Sequence, residues 1–389
     1  MRKITLVLFA IAGGFAVGNL YFIQPLLGRI SEDLGTSVTH NGLLVTFVQL
    51  GYVSGILFLL PLGDVLNRKL FVPIMMTIAG VGQLAISQST NFTMVAISFI
   101  FVGFSTISGQ ILIPLTNELS DDNNRGKNSS FVVSGIIIGI LAARAISGTL
   151  SDLITWHGTF LVIGLANILL AWTLYFNIPL TYGQVKVSYP KLILSIFKLW
   201  SNNPWVLRIM INTSFSTFLF SATWTSVTFL LAGVPYNWST TSIGLLGLLG
   251  IVSASAATFT GKSIDTGKGD RNAYWAWAAA ALAATVGSFA QYSLAFLFIG
   301  LLMREFTGQA IAINNQTKLM SLFPHARSRV NTGYVSVNFI GSALGSLVAV
   351  AFYPTIGWAG IQYICALTSL CGLVFWYFNV RARPAEMVY

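Results

Sequence analysis

Apolar residues fill this chain in long blocks separated by short polar connections. A helix needs about 20 apolar residues to cross a hydrocarbon core of roughly 30 Å. Twelve stretches meet that length: 4–27, 41–62, 70–89, 94–116, 129–150, 158–179, 205–231, 241–261, 273–290, 294–316, 331–352 and 359–379. The first begins directly after Met-Arg-Lys, exceeds the apolar region of a signal peptide and is followed by many more, so it is read as a span. An even number of crossings puts both termini on one side. The longest polar connection, about 180–204, falls between the sixth and seventh spans. The pattern therefore predicts an all-α membrane protein of twelve transmembrane helices in two pseudo-symmetric six-helix bundles. Their bounds are 1–180 and 205–389, joined by a bare cytoplasmic linker, 181–204, that carries Lys186, Lys191 and Lys198.

The two halves resemble each other in sequence. Asp64 after span two and Asp265 after span eight are 201 positions apart, and Gly109-Gln110 recurs as Gly308-Gln309 after 199. Arg125-Gly-Lys127 recurs as Arg327-Ser-Arg329, and Gly139 as Gly341, both at an offset of 202. A parallel repeat of six spans is an architecture of secondary transporters, with substrate near the midplane between the repeats.

Composition agrees with the pattern. Of 389 residues, 55% are hydrophobic and 8% charged, against roughly a quarter charged in soluble proteins. So few charges cannot coat a soluble particle. The net charge of +10 comes with no basic face, which excludes a nucleic-acid partner. Its sign instead orients the bundle: 18 of the 21 Lys and Arg fall in connections on the N-terminal side, while Arg29 alone occupies an opposite loop and Arg144 and Arg304 lie within spans. By the positive-inside rule both ends are cytoplasmic. Cys365 and Cys371 share one apolar run, and His40, His157 and His325 fall in connections, so no metal centre is expected. A Gly-x-x-x-x-Gly-Lys-Ser/Thr phosphate loop is absent, which excludes ATP-driven transport by this chain alone. An enzyme is not expected either, because neither a Ser/His arrangement nor paired carboxylates lie at membrane depth.

Three intramembrane or membrane-edge groups carry candidate chemistry. The carboxylate of Asp64 can accept from a neighbouring helix N-terminus, or pair with Arg68 or with Arg125 across the loop, and so gate the cytoplasmic mouth with Lys69 and the second copy at Asp265. Arg144 lies deep in span five, where a bare charge costs at least about 2.5 kcal/mol. It either meets a substrate anion or a carboxylate, or snorkels to the outer headgroups. Glu305, beside Arg304 in span ten, is the acidic residue at mid-membrane depth. A proton antiporter needs such a group, loaded from outside, discharged inside and competing with substrate. The alternative is a structural Arg304–Glu305 arrangement against neighbouring helices. Gln309 shares the Glu305 face one turn on.

The loop Leu62-Gly-Asp-Val-Leu-Asn-Arg-Lys69 resembles the signature G-x-x-x-D-R-x-G-R-R/K of the major facilitator superfamily in Asp64, Arg68 and Lys69. Leu60, Val65 and Asn67 stand where the signature has Gly, Arg and Gly. Asn19-Leu-Tyr-Phe-Ile-Gln-Pro-Leu-Leu27, Ser134-Gly-Ile-Ile-Ile-Gly-Ile-Leu-Ala-Ala-Arg144 and Asn315-Gln-Thr-Lys318 look like the bacterial drug:proton antiporter branch of that superfamily. The resemblance implies that spans one, four, seven and ten line a central cavity. Asn19, Tyr21, Gln24, Gln110, Asn212, Ser216, Trp224 and Asn315 would form its wall with Arg144 and Gln309, or bond between helices instead. It further implies a monomer in the bacterial inner membrane, bound to no cofactor and driven by a proton gradient, that exports amphipathic small molecules or drugs. A carrier for a sugar or other hydrophilic metabolite and a substrate sensor without flux are the alternatives.

Overall fold

The computed structural model describes residues 2–181, 189–322 and 327–381; Lys186, His325 and Arg383 lie outside them. The described residues are helical with short connections and contain no strand. Among the described residues nine helices are long and apolar enough to cross a membrane. Two of these, Arg125–Asn177 and Arg327–Asn379, are 53 residues long and broken, the first at Ile154 and Thr155 and the second at Gly357. Counting each as two, with the shorter apolar helix Lys3–Gly18, gives twelve spans. They are α1 (Lys3–Gly18), α2 (Leu43–Phe58), α3 (Arg68–Ser87), α4 (Phe92–Leu119), α5 (125–153), α6 (156–177), α7 (Pro204–Ala232), α8 (Thr240–Asp265), α9 (Gly269–Ser288), α10 (Leu294–Leu322), α11 (327–356) and α12 (358–379). The internal repeat reaches the backbone. The helices 125–177 and 327–379 start, break and end at an offset of 202.

Span one is not the continuous helix 4–27 that its apolar run suggests. Regular helix stops at Gly18; the chain turns through Asn19–Ile23, forms one 3-10 turn over Gln24–Leu26 and resumes as Leu27–Leu34. Pro25 is the cause, since it has no N–H to donate and its ring crowds the carbonyl four residues back, at Tyr21. Neither is the 180–204 connection bare. Tyr189–Asn202 is a helix, with Lys191 and Lys198 interrupting a largely apolar sequence.

Contacts divide the chain into two units, Met1–Ile193 with Thr228–Leu248, and Leu194–Val227 with Leu249–Tyr389. Glycines allow the closest helix approaches within each. In the first, a Cβ on Gly139 of α5 would lie 2.3 Å from the Gly14 Cα of α1. In the second, a Cβ on Gly345 of α11 would lie 2.2 Å from the Phe218 carbonyl oxygen of α7. The Gly-x-x-x-Gly ridges Gly135–Gly139 and Gly341–Gly345 are thus packing faces, as in other membrane bundles. Large apolar side chains such as Leu169, Trp172, Phe176 and Phe378 remain exposed, a surface that only lipid can solvate.

Candidate functional site

The loop after α2 is built around Arg68. Asn67 caps α3, its side chain accepting from the Lys69 backbone N–H at 3.0 Å. That start buries Arg68, whose Nε donates to the Gly63 carbonyl at 2.8 Å. Its two terminal nitrogens reach two carboxylates, Glu118 at the end of α4 and Asp64 at 3.5 Å. Burial pushes the Asp64 carboxyl above its ordinary value, and Arg68 pulls it back only in part. Arg125 is elsewhere, exposed and paired with Asp122 at 2.9 Å. Lys69 lies over the Tyr175 ring, 5.5 Å from its centroid. Sequence reasoning did not single out Glu118, although its place at the end of span four matches that of Asp64 at the end of span two.

In the second copy the same elements carry opposite charges. Asp270 in the first turn of α9, 202 positions after Arg68, pairs at 2.9 Å with Lys318, 200 positions after Glu118. Lys318 Nζ also donates to the Val380 carbonyl at 2.8 Å. Asp265 is exposed, and no described residue bonds its side chain.

The polar residues expected along a cavity wall are joined within their own units. In the first, Gln83 donates to Asn19 at 2.8 Å, Asn19 to Thr106 at 3.2 Å and Asn167 to Gln83 at 3.2 Å, a chain that ties α1 to α3, α4 and α6. Gln110 donates to the Tyr52 hydroxyl at 3.1 Å. Beyond the turn at Asn19 lies a separate group: buried Arg144 donates through Nε to Gln24 at 2.6 Å, with its guanidinium 4.8 Å from the Tyr21 ring centroid. In the second unit Asn315 donates to Asn212 at 2.8 Å and Thr213 at 3.0 Å, and Asn212 to the Gly372 carbonyl at 2.9 Å. The Ser216 carbonyl accepts from Arg304. Trp224 Nε1 donates to the Glu305 carboxylate at 2.9 Å. Gln309 is half-buried, and no described residue bonds its side chain.

Sequence reasoning did not find the apolar groove of the first unit. It lies between α1 and α5 and measures about 360 Å³; Val7, Ile11, Phe15, Phe131, Ile138 and Ile146 are among its lining. Its residues carry no polar signal, so only the packing of the two helices discloses it. Among the described residues no group of His, Cys, Asp and Glu is arranged to hold a metal.

Twelve apolar spans with buried polar networks define a multi-pass membrane protein. Residues 9–321 match the family described as Major Facilitator Superfamily, and the chain belongs to that family. It is 35% identical over 381 residues to "Uncharacterized transporter YgaY" of Escherichia coli O157:H7, covering 98% of this chain and 96% of that protein. It is 27% identical to "Probable transporter SCO4007" of Streptomyces coelicolor, over 99% and 88% of the two chains. The fold is similar to that of a bacterial homologue of the human lysosomal transporter Spinster, in its inward-facing and occupied conformation. That match has a TM-score of 0.75 at 14% identity, over 98% and 97% of the two chains. The nucleoside transporter NupG gives a TM-score of 0.75 at 15% identity, over 97% and 99%.

Proposed function

We propose that this transporter exports amphipathic small molecules, drugs among them, in exchange for protons. The observation that carries the reading is the groove of about 360 Å³ between α1 and α5, whose walls are almost wholly apolar. Such a surface accepts aromatic and aliphatic bodies without strict geometry, and the few polar groups needed for orientation lie nearby on the same helices. Glu305 is the proton carrier in this account. Its carboxylate, half-buried in α10, accepts from Trp224, and protonation or an arriving cation competes for that bond. Arg144, with Gln24 and Tyr21, tunes the substrate region, and the Arg68–Asp64–Glu118 cluster with Lys69 latches the cytoplasmic mouth. The distribution of Lys and Arg supports cytoplasmic termini in a bacterial inner membrane, and a monomer suffices for this account.

One observation favours a second reading. The Arg144–Gln24–Tyr21 cluster places a cation, an amide and an aromatic face together, which suits a defined hydrophilic solute bearing an anionic group.

Efflux from proteoliposomes separates the two. A panel of cationic dyes, neutral drugs and sugars is loaded and allowed to compete. The export reading expects several unrelated amphipaths to compete, with Phe131→Ala and Ile138→Ala raising their KM together. Movement of one hydrophilic solute alone overturns it, and ligand binding without flux identifies a sensor.

A further inference from the structure

Arg304 sends a full positive charge into the interior of the second unit and is 5% exposed. A charge so placed ordinarily finds a carboxylate. Its neighbour Glu305 points about 100° away around the helix, and the Glu305 carboxylate accepts from Trp224 instead. One terminal nitrogen of Arg304 donates to the Ser216 carbonyl, and no described residue accepts from Nε, which is buried. A second buried donor, Nε2 of Gln362, also has no acceptor, and that side chain is 2% exposed.

Both side chains line one cavity between α7, α9, α10 and α12, with about 10 Å³ of room for the centre of a water-sized body. That is the space of a single small occupant. Most of the wall is apolar or small, as at Leu219, Ala283, Gly300 and Trp358. The other polar lining groups are turned to protein partners: Thr223 meets the Cys365 sulfur at 3.9 Å, and Ser369 donates to the Cys365 carbonyl at 3.0 Å. The Trp358 indole N–H is likewise taken, by the Gly287 carbonyl at 2.7 Å.

We propose that this cavity binds one monatomic anion of halide size, chloride by chemistry, held by the Arg304 Nε–H and the Gln362 amide. Both open groups are donors and one carries the compensating charge. A water molecule would have two O–H groups to place against a guanidinium and apolar walls, where acceptors are already used. A halide accepts from both donors, neutralises the charge, fixes the Gln362 amide with its NH₂ inward, and exceeds water in radius by only a few tenths of an ångström. Carboxylate, phosphate and sulfate are too large. The site needs only the cavity and the charge of Arg304, so it stands whether or not the export reading does.

The test uses the purified full chain in detergent, with sodium gluconate replaced stepwise by sodium chloride or bromide at constant ionic strength. The melting temperature is expected to rise saturably with either halide. Gln362→Met should weaken the halide dependence about tenfold, the loss of one hydrogen bond to a charged group, and Arg304→Gln should abolish it. Bromide-soaked crystals should give an anomalous peak beside Arg304. The proposal is overturned if halides and gluconate act alike on the unaltered chain, if Gln362→Met leaves the halide dependence unchanged, or if bromide-soaked crystals hold water alone in the cavity. If Arg304→Gln does not fold, Gln362→Met and the bromide signal decide the matter.

Discussion

Thr155, in the break between α5 and α6, has φ 73° and ψ 164°. Gly357, 202 positions later, takes nearly the same conformation, φ 62° and ψ −168°, without a Cβ to crowd it. A β-branched residue in this glycine region costs about 1–3 kcal/mol. Thr155→Gly should therefore raise stability by about 1 kcal/mol, after the looser unfolded chain and the lost bond from the Gly158 N–H are counted. Thermal unfolding of the purified chain checks this, and a lowered melting temperature would contradict it. Asp152, just beyond the apolar stretch of span five, makes a second test. Its carboxylate accepts from the side chain and backbone of Thr241, from Thr240 and from Arg29. Asp152→Asn should thus lower stability by about 1 kcal/mol at neutral pH, the low end for a partly solvated carboxylate. Thermal unfolding of variant and parent checks this, and equal melting temperatures would contradict it. Arg144 and Glu305 were legible in the sequence because charge inside an apolar run is conspicuous. Asp152 was not, since its threonine partners lie 88 and 89 residues away and no local spacing links them.

At the scale of elements, α5 packs on α1 through Gly139 and Gly14, and on the first turns of α8 through Gly148, where a Cβ would lie 2.3 Å from the Thr240 carbonyl oxygen. Backbone on both sides leaves nowhere for a side chain to go. Gly139→Leu is expected to destabilise the first unit by more than about 3 kcal/mol, seen as loss of folded protein in detergent. Its repeat counterpart Gly341→Leu should act alike, since a Cβ there would lie 2.4 Å from the Ser214 carbonyl oxygen. Folded, fully stable variants would contradict the packing. The apolar blocks announced these helices and nearly all their bounds, because each block must satisfy its own backbone in lipid. Besides the helix Tyr189–Asn202 in the 180–204 connection, two features escaped. The apolar run 4–27 conceals that the chain unwinds at Asn19, which divides Asn19 from Tyr21 and Gln24 and sends them to different networks. The groove between α1 and α5 escaped because apolar residues on a spanning helix look alike in sequence whether they face lipid, a neighbour or a ligand.

At the scale of the whole chain, the offset of about 200 that joined Asp64 to Asp265 in sequence extends to helix starts, breaks and ends, and to the ion pairs at the ends of the spans. The ion pairs are repeated with their signs exchanged, Arg68 with Glu118 in one copy and Asp270 with Lys318 in the other. Residue matching in the sequence passed over these ion pairs, because an exchange of sign preserves a pair while erasing its identity. The central claim of the account is that export of an amphipathic molecule is exchanged for a proton carried by Glu305. Substrate-induced proton movement in proteoliposomes under an imposed pH gradient tests it most directly, with Glu305→Gln beside the unaltered chain. The account predicts that several unrelated amphipaths collapse the gradient through the unaltered chain and that Glu305→Gln still binds them but moves no protons. Proton movement undiminished by Glu305→Gln, or absent from the unaltered chain while substrate crosses, would contradict it.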